Sequence, residues 1–81
     1  MELWTSATPN GWKVSIMIEE LIEAGAKLDD TTVKHINLAK GEQHSPEFLT
    51  HNPNAKIPVL IDGDRSIMES CAILQYLGEK Y

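Results

Sequence analysis

The sequence predicts an α/β fold, a four-stranded mixed sheet with helices on both faces, and three observations carry that prediction. Between Met1 and Leu38 a strand-like run, an amphipathic helical run and a β-branched run follow one another. That is the order of a βαβ unit, whose strands lie parallel with a right-handed crossover. Further on, Val59-Leu60-Ile61 and Ser66-Ile67-Met68 flank the turn residues Asp62-Gly63-Asp64-Arg65, the pattern of a β-hairpin. Last, apolar residues at helical spacing fill the stretch from Ser70 to about Lys80.

Met1-Glu2-Leu3-Trp4-Thr5 reads as the first strand, and Ser6-Ala7-Thr8-Pro9-Asn10-Gly11 as a loop with clear breakers. From Trp12 to Ala24, Val14, Met17, Ile18, Leu21 and Ile22 recur at helical spacing, and Gly25 supplies the stop. Asp29-Asp30 make a turn. Thr31 to Leu38 is β-branched enough for a second strand. After the polar loop Ala39 to His44, Ser45 is placed to cap a short helix with Pro46 at its first position. Strand, helix, strand, short helix, hairpin, helix is the order of a thioredoxin-like domain.

Eighty-one residues make one small domain. Such a chain buries only roughly 60% of its unfolded surface, so its core is near the lower limit. A net charge of −5 argues against nucleic acid or an anionic membrane surface as partner. No apolar run approaches the ~20 residues of a membrane span, and no signal peptide is visible. The single cysteine, Cys71, allows no internal disulfide and fits a reducing, cytoplasmic setting. His35, His44 and His51 lack metal-ligand spacing, so no metal is expected. Both long helices carry more apolar surface than one stripe, with Ile16 beside Met17 and Tyr76 beside Leu77. The excess points either to a partner surface outside these residues or to ordinary exposed apolar area.

Asn52-Pro53-Asn54-Ala55-Lys56-Ile57-Pro58-Val59-Leu60-Ile61 is the stretch around which a site is expected. Pro58 cannot donate to a sheet ladder and so belongs at a strand start or an edge. A cis Ile57-Pro58 bond there would turn the N–H and C=O of Ile57 outward, free to pair with an extended peptide. Glu69-Ser70 opens a helix, whose free N–H groups and dipole favour an anion. The loop after the first strand holds no cysteine, so any thiol chemistry needs a sulfur brought by a ligand. Hydroxyls of Thr5, Ser6 or Thr8 and the amide of Asn10 are the available donors. Asn10 is also of the residue type that caps a helix, and Thr8 of the type that shapes a turn before proline. Cys71 is expected to be a small core filler.

Thr8-Pro9-Asn10-Gly11-x-Lys13, Pro46-Glu47-Phe48-Leu49, Asn54-x-Lys56-Ile57-Pro58 and Glu69-Ser70-x-Ala72-Ile73-Leu74 together resemble the N-terminal domain of cytosolic glutathione transferases. The nearest likeness is to the Nu-class-like subgroup, whose loop reads Thr-Pro-Asn-Gly. The resemblance covers the whole chain and implies glutathione as co-substrate. It implies that Ile57-Pro58 is cis and pairs with the cysteinyl part, and that Glu69 and Ser70 hold the γ-glutamyl end. Gln43 and Lys56 match positions that reach toward the glycyl end, and Thr8 and Asn10 match residues beside the sulfur. Trp4 and Thr5 stand where several classes put a catalytic tyrosine, so that mode of activation is not implied. Residues 1–81 would be the glutathione-binding domain, with the family's C-terminal helical domain absent and a homodimer formed through the full-length protein. The implied reaction is thiolate attack on a small electrophile or glutathione-dependent disulfide reduction. A non-catalytic regulatory or assembly module of the same family is the alternative.

Overall fold

Strand β1 (Glu2–Thr5) is one of the two inner strands on which both layers of the molecule are built. In the computed structural model, which describes Met1 to Tyr81, β1 pairs in parallel with β2 (Thr32–His35). On its other side it pairs antiparallel with β3 (Val59–Asp62), which turns back into β4 (Arg65–Met68). The sheet order is β2-β1-β3-β4. Helices α1 (Pro9–Glu23) and α3 (Ser70–Lys80) cover one face, and the short α2 (Pro46–His51) covers the other.

The period of two along each strand decides which residues meet which helix. Leu3 and its register partner Leu60 face α1 and α3, where Val14, Ile18, Ile73 and Leu77 close the larger core. Their neighbours Trp4 and Val59 point the opposite way, onto Phe48 of α2 and Ile36. A one-residue slip would exchange these two sets, so the register is strongly fixed.

The element order is as the sequence predicts, but several boundaries move. In the hairpin Asp62 and Arg65 pair with each other as strand residues, which leaves only Gly63-Asp64 as the turn. Helix α1 begins at Pro9 and not at Trp12, because Thr8 is its N-cap: Thr8 Oγ1 accepts from Gly11 N–H at 3.2 Å. Asn10 is therefore inside the first turn and is not the cap. Strand β2 spans Thr32–His35, shorter than the run Thr31 to Leu38, because an edge strand extends only as far as its neighbour. Its last partner is Thr5, after which Ile36 N–H makes one more bond to Thr5 O at 2.8 Å. Leu38 instead enters a single 3-10 turn (Leu38–Lys40) capped by the Asn37 side chain.

The excess apolar surface of the two helices resolves differently in each. Tyr76 packs against the larger core and donates its hydroxyl to Asp62 in the β3–β4 hairpin. Trp12 and Ile16, one turn apart on α1, are 55% and 61% exposed.

Gly11 fixes how closely α1 approaches the end of β1. A Cβ at this position would collide with the Ser6 carbonyl oxygen and press on Thr5 Oγ1. Alanine ordinarily favours a helix over glycine by about 1 kcal/mol, but here the obstacle is backbone and cannot swing aside. Gly11→Ala is expected to lower stability by about 1–3 kcal/mol, the cost of overpacking, in a urea unfolding titration. An unchanged or raised midpoint would contradict the close approach.

At the opposite end of the sheet, Lys80 Nζ bonds Asp62 Oδ2 at 2.6 Å beside the Tyr76 hydroxyl. The Lys80 ammonium, and then the Tyr76 hydroxyl, hold the Asp62 carboxyl below its ordinary 3.8. A lowered folded-state pKa means that the contribution is full above the ordinary value and is lost as pH falls through the lowered one. The stability gap between the unsubstituted chain and Asp62→Asn should therefore be level near neutral pH and shrink in acid below 3.8. Urea midpoints measured at a series of acidic pH values check this.

Candidate functional site

Three chain segments meet at one end of the sheet because the strand register brings them there. The loop Ser6 to Thr8 follows the C-terminal end of β1. Trp4 pairs with Val59 and Val59 with Met68, so the residues before β3 and after β4 emerge at that same end. Pro58 thus lies beside the start of α1, and Glu69-Ser70 beside both.

A recess of about 150 Å³ at this meeting point gathers Asn10, Lys56, Ile57, Pro58, Glu69 and Ser70. A second, shallower depression continues from it past Asn10, Lys56 and Ile57 to Thr8 and Gln43. All eight residues nominated from the sequence therefore lie on one continuous surface. Thr5 does not: it is buried under Gly11, its hydroxyl 3.5 Å from the Ser6 carbonyl oxygen.

Each group on this surface has unused hydrogen-bonding capacity. The Ile57-Pro58 bond is cis, and no hydrogen bond within the chain uses the N–H or C=O of Ile57. Ser70 is the first residue of α3, buried except at its recess side, and its hydroxyl is unengaged. The first intrahelical acceptance in α3 is Glu69 O from Ile73 N–H, so the amides of Ser70, Cys71 and Ala72 have no partner in the helix. Thr8 uses one lone pair as a cap acceptor and keeps its O–H free to donate. Gln43 Oε1 is buried without a partner. Donors at two helix N-termini, a cation at Lys56 and free peptide groups suit a peptide-like ligand carrying carboxylates.

Two residues that build the site lie in the stretch Asn52 to Ile61 but were given no role of their own from the sequence. Asn52, 3% exposed, donates from Nδ2 to Lys56 O at 2.8 Å and accepts at Oδ1 from Asn54 N–H at 3.0 Å. It ties the turn leading to Pro58 into one shape, and the Asn-Pro dipeptide was the available signal. Ala55 sits in that turn at φ 57°, a conformation no local residue type announces. Cys71 corrects an expectation: it is exposed, because the buried side of α3 is taken by Ser70, Ile73 and Leu77.

Comparison with known proteins puts this geometry in context. Residues 1–79 match the family described as glutathione S-transferase, N-terminal domain. The disulfide-bond oxidoreductase YghU of Escherichia coli K12 is 40% identical, over 100% of this chain and 30% of that protein. The crystal structure of glutathione transferase YghU from Streptococcus pneumoniae, complexed with glutathione, has a TM-score of 0.93 at 42% identity. It matches 98% of this chain and 32% of its own. Glutathione transferase URE2P6 from Phanerochaete chrysosporium, in complex with oxidized glutathione, has a TM-score of 0.84 at 44% identity, covering 99% and 36%. The chain spans about a third of the length of these relatives.

Glu69 is the most constrained backbone position in the site, with φ 71° and ψ 125°, outside the small left-handed basin that side chains tolerate. Such strain costs on the order of 1–3 kcal/mol and concentrates at functional positions. At an ordinary position glycine is less stable than alanine by about 0.5–1 kcal/mol. At residue 69 the order is expected to reverse, with Glu69→Gly more stable than Glu69→Ala by thermal or urea unfolding. The ordinary ranking would show that the position is unstrained.

Proposed function

This chain belongs to the glutathione S-transferase family, as its N-terminal domain, and from that premise we propose that it binds glutathione and activates its thiol. The observation that carries the reading is the convergence of Thr8, Asn10, the free Ile57 peptide groups and the Ser70 helix N-terminus on one surface. Ile57 pairs with the cysteinyl backbone as a short added strand. Ser70 and the first amides of α3 take the γ-glutamyl carboxylate, and the Glu69 carboxylate takes its amine. Lys56 and Gln43 reach the glycyl end. Asn52 holds this turn in place.

Orientation then leaves the sulfur near the N-terminus of α1, where Thr8 and Asn10 donate to it. A free thiol ionises near pH 8.5, and each unit of lowering corresponds to about 1.4 kcal/mol of preference for the thiolate. Two donors at a dipole end are of the size to supply a unit or more. The loop has no cysteine of its own, so the attacking thiolate is the ligand's. Attack on an electrophilic carbon gives conjugation. Attack on a disulfide gives a mixed disulfide and a released thiolate, and a second glutathione thiolate breaks the mixed disulfide, forming glutathione disulfide and releasing the substrate's other sulfur as a thiolate. The Thr-Pro-Asn-Gly loop, which we assign to the Nu-class-like subgroup, and a relative named as a disulfide-bond oxidoreductase favour the second course.

Residues 1–81 are read as the glutathione-binding domain of a longer cytoplasmic protein, whose helical second domain forms the electrophile pocket and homodimer contacts. Trp12 and Ile16 are the exposed apolar surface on which that domain would pack.

Calorimetric titration of glutathione and of glutathione disulfide tests the reading, since no binding of either would leave the surface a scaffold. Ser70→Ala is expected to weaken glutathione binding roughly 10- to 100-fold, the loss of a hydrogen bond to a charged group. Thr8→Ala and Asn10→Ala should instead leave most of the affinity and slow disulfide reduction by the full-length protein. An unchanged rate would remove the two residues from the mechanism.

A further inference from the structure

Lys13 lies just past the first turn of α1, and nothing in the fold accounts for it. It is exposed and makes no ion pair, and it sits near the positive end of the helix dipole, where a cation is disfavoured. Its one polar contact is from Nζ to Asn10 Oδ1, at 3.3 Å. The spacing of three residues puts the two side chains on one face of the helix, and helical side chains lean toward the N-terminus, so the ammonium reaches back over Asn10.

The chemistry of that contact orients the amide. An ammonium has three donors and no acceptor, so only the oxygen of a carboxamide can face it favourably. Oδ1 is then turned toward Lys13 and Nδ2 away from it. No hydrogen bond within the chain occupies Nδ2, and Asn10 lines both parts of the recess. The opposite rotamer would place amide hydrogens against the ammonium and present an oxygen, with its lone pairs, to the developing thiolate.

We propose that Lys13 is a positioning residue: by donating to Asn10 Oδ1 it fixes the carboxamide so that Nδ2 presents its hydrogens to the sulfur of the bound thiol. This rests on the glutathione-binding reading given above. Lys13 itself touches no reacting atom. Lys13 does not itself line the recess; Lys56 and Glu69 are the charged groups that do, from the turn before β3 and the cap of α3. They are unaltered by substitution at residue 13.

The test is a pH titration of glutathione bound to the chain, followed by the ultraviolet absorbance of the thiolate. Lys13→Met is expected to raise the apparent pKa of the bound thiol by about half a pH unit or more. Lys13→Arg, a second donor-only cation, should restore most of the shift, and Lys13→Glu, an acceptor that draws the NH2 toward itself, should raise it furthest. In an Asn10→Ala background Lys13→Met should change nothing further, because the residue through which it acts is gone. An equal shift in that background would mean that Lys13 acts by its field alone, and an unshifted Lys13→Met would mean that it does not act at all. Either result overturns the proposal. Failure of the unsubstituted chain to bind glutathione overturns the underlying reading, and with it the role at the sulfur. The amide orientation is read separately in the ligand-free chain. Strong nuclear Overhauser contacts from the Asn10 NH2 hydrogens to the Lys13 ε-methylene would show the opposite rotamer and overturn the proposal.

Discussion

The close approach of α1 to the end of β1 is the constraint on which the rest of the site depends. It is possible only because residue 11 has no side chain, which lets the helix pass against the Ser6 carbonyl and the Thr5 hydroxyl. That contact sets where the first turn begins and so where Thr8 and Asn10 stand. Close packing of the remaining face, through Val14 and Ile18 onto Leu3, holds the helix at this distance along its length. A looser helix would separate its N-terminus from that of α3, and the two sets of free donors would no longer border one recess.

Strain and order are distributed accordingly. The far end of the sheet is closed by side-chain pairing between elements, with Asp62 joined to Tyr76 and Lys80. At the near end the chain carries its two non-glycine residues of positive φ, Ala55 and Glu69, both beside the recess. Asn52 supplies compensating bonds across the turn that holds Ala55. Backbone conformations that are costly by themselves persist where surrounding contacts determine them, and here they aim peptide groups and a helix terminus at a shared space.

Charge follows the same division. The chain carries a net charge of −5, which discourages polyanionic partners. Locally, Lys56 and two helix N-termini border the recess, Lys13 stands behind Asn10, and Glu69 is the one carboxylate on the lining. A small ligand with two carboxylates, an amine and a thiol fits that mixture better than a uniformly anionic one. Thr8 shows how few atoms the arrangement needs, since one hydroxyl caps α1 with a lone pair and keeps its proton free to donate.

Much of this was legible in the sequence. The period-two alternation Leu3-Trp4 and Val59-Leu60, the helical spacing of Val14, Ile18, Ile73 and Leu77, and the turn signal at Gly63-Asp64 are local signals, and they determined the element order and the α/β class. The four spaced motifs determined the family, because side-chain chemistry at Asn10, Pro58 and Ser70 is written residue by residue. Other features depended on neighbours distant in sequence. The end of β2 at His35 was decided by where β1 stops, and the start of α1 by the cap bond from Gly11 to Thr8. Exposure of Cys71 and engagement of Tyr76 with Asp62 were decided by which side of α3 met the sheet. The pairing of Lys13 with Asn10 needed the helix phase and both rotamers. Local sequence dictates what a segment can form, but which atoms are left free to bind is settled only when every other segment has taken its partners.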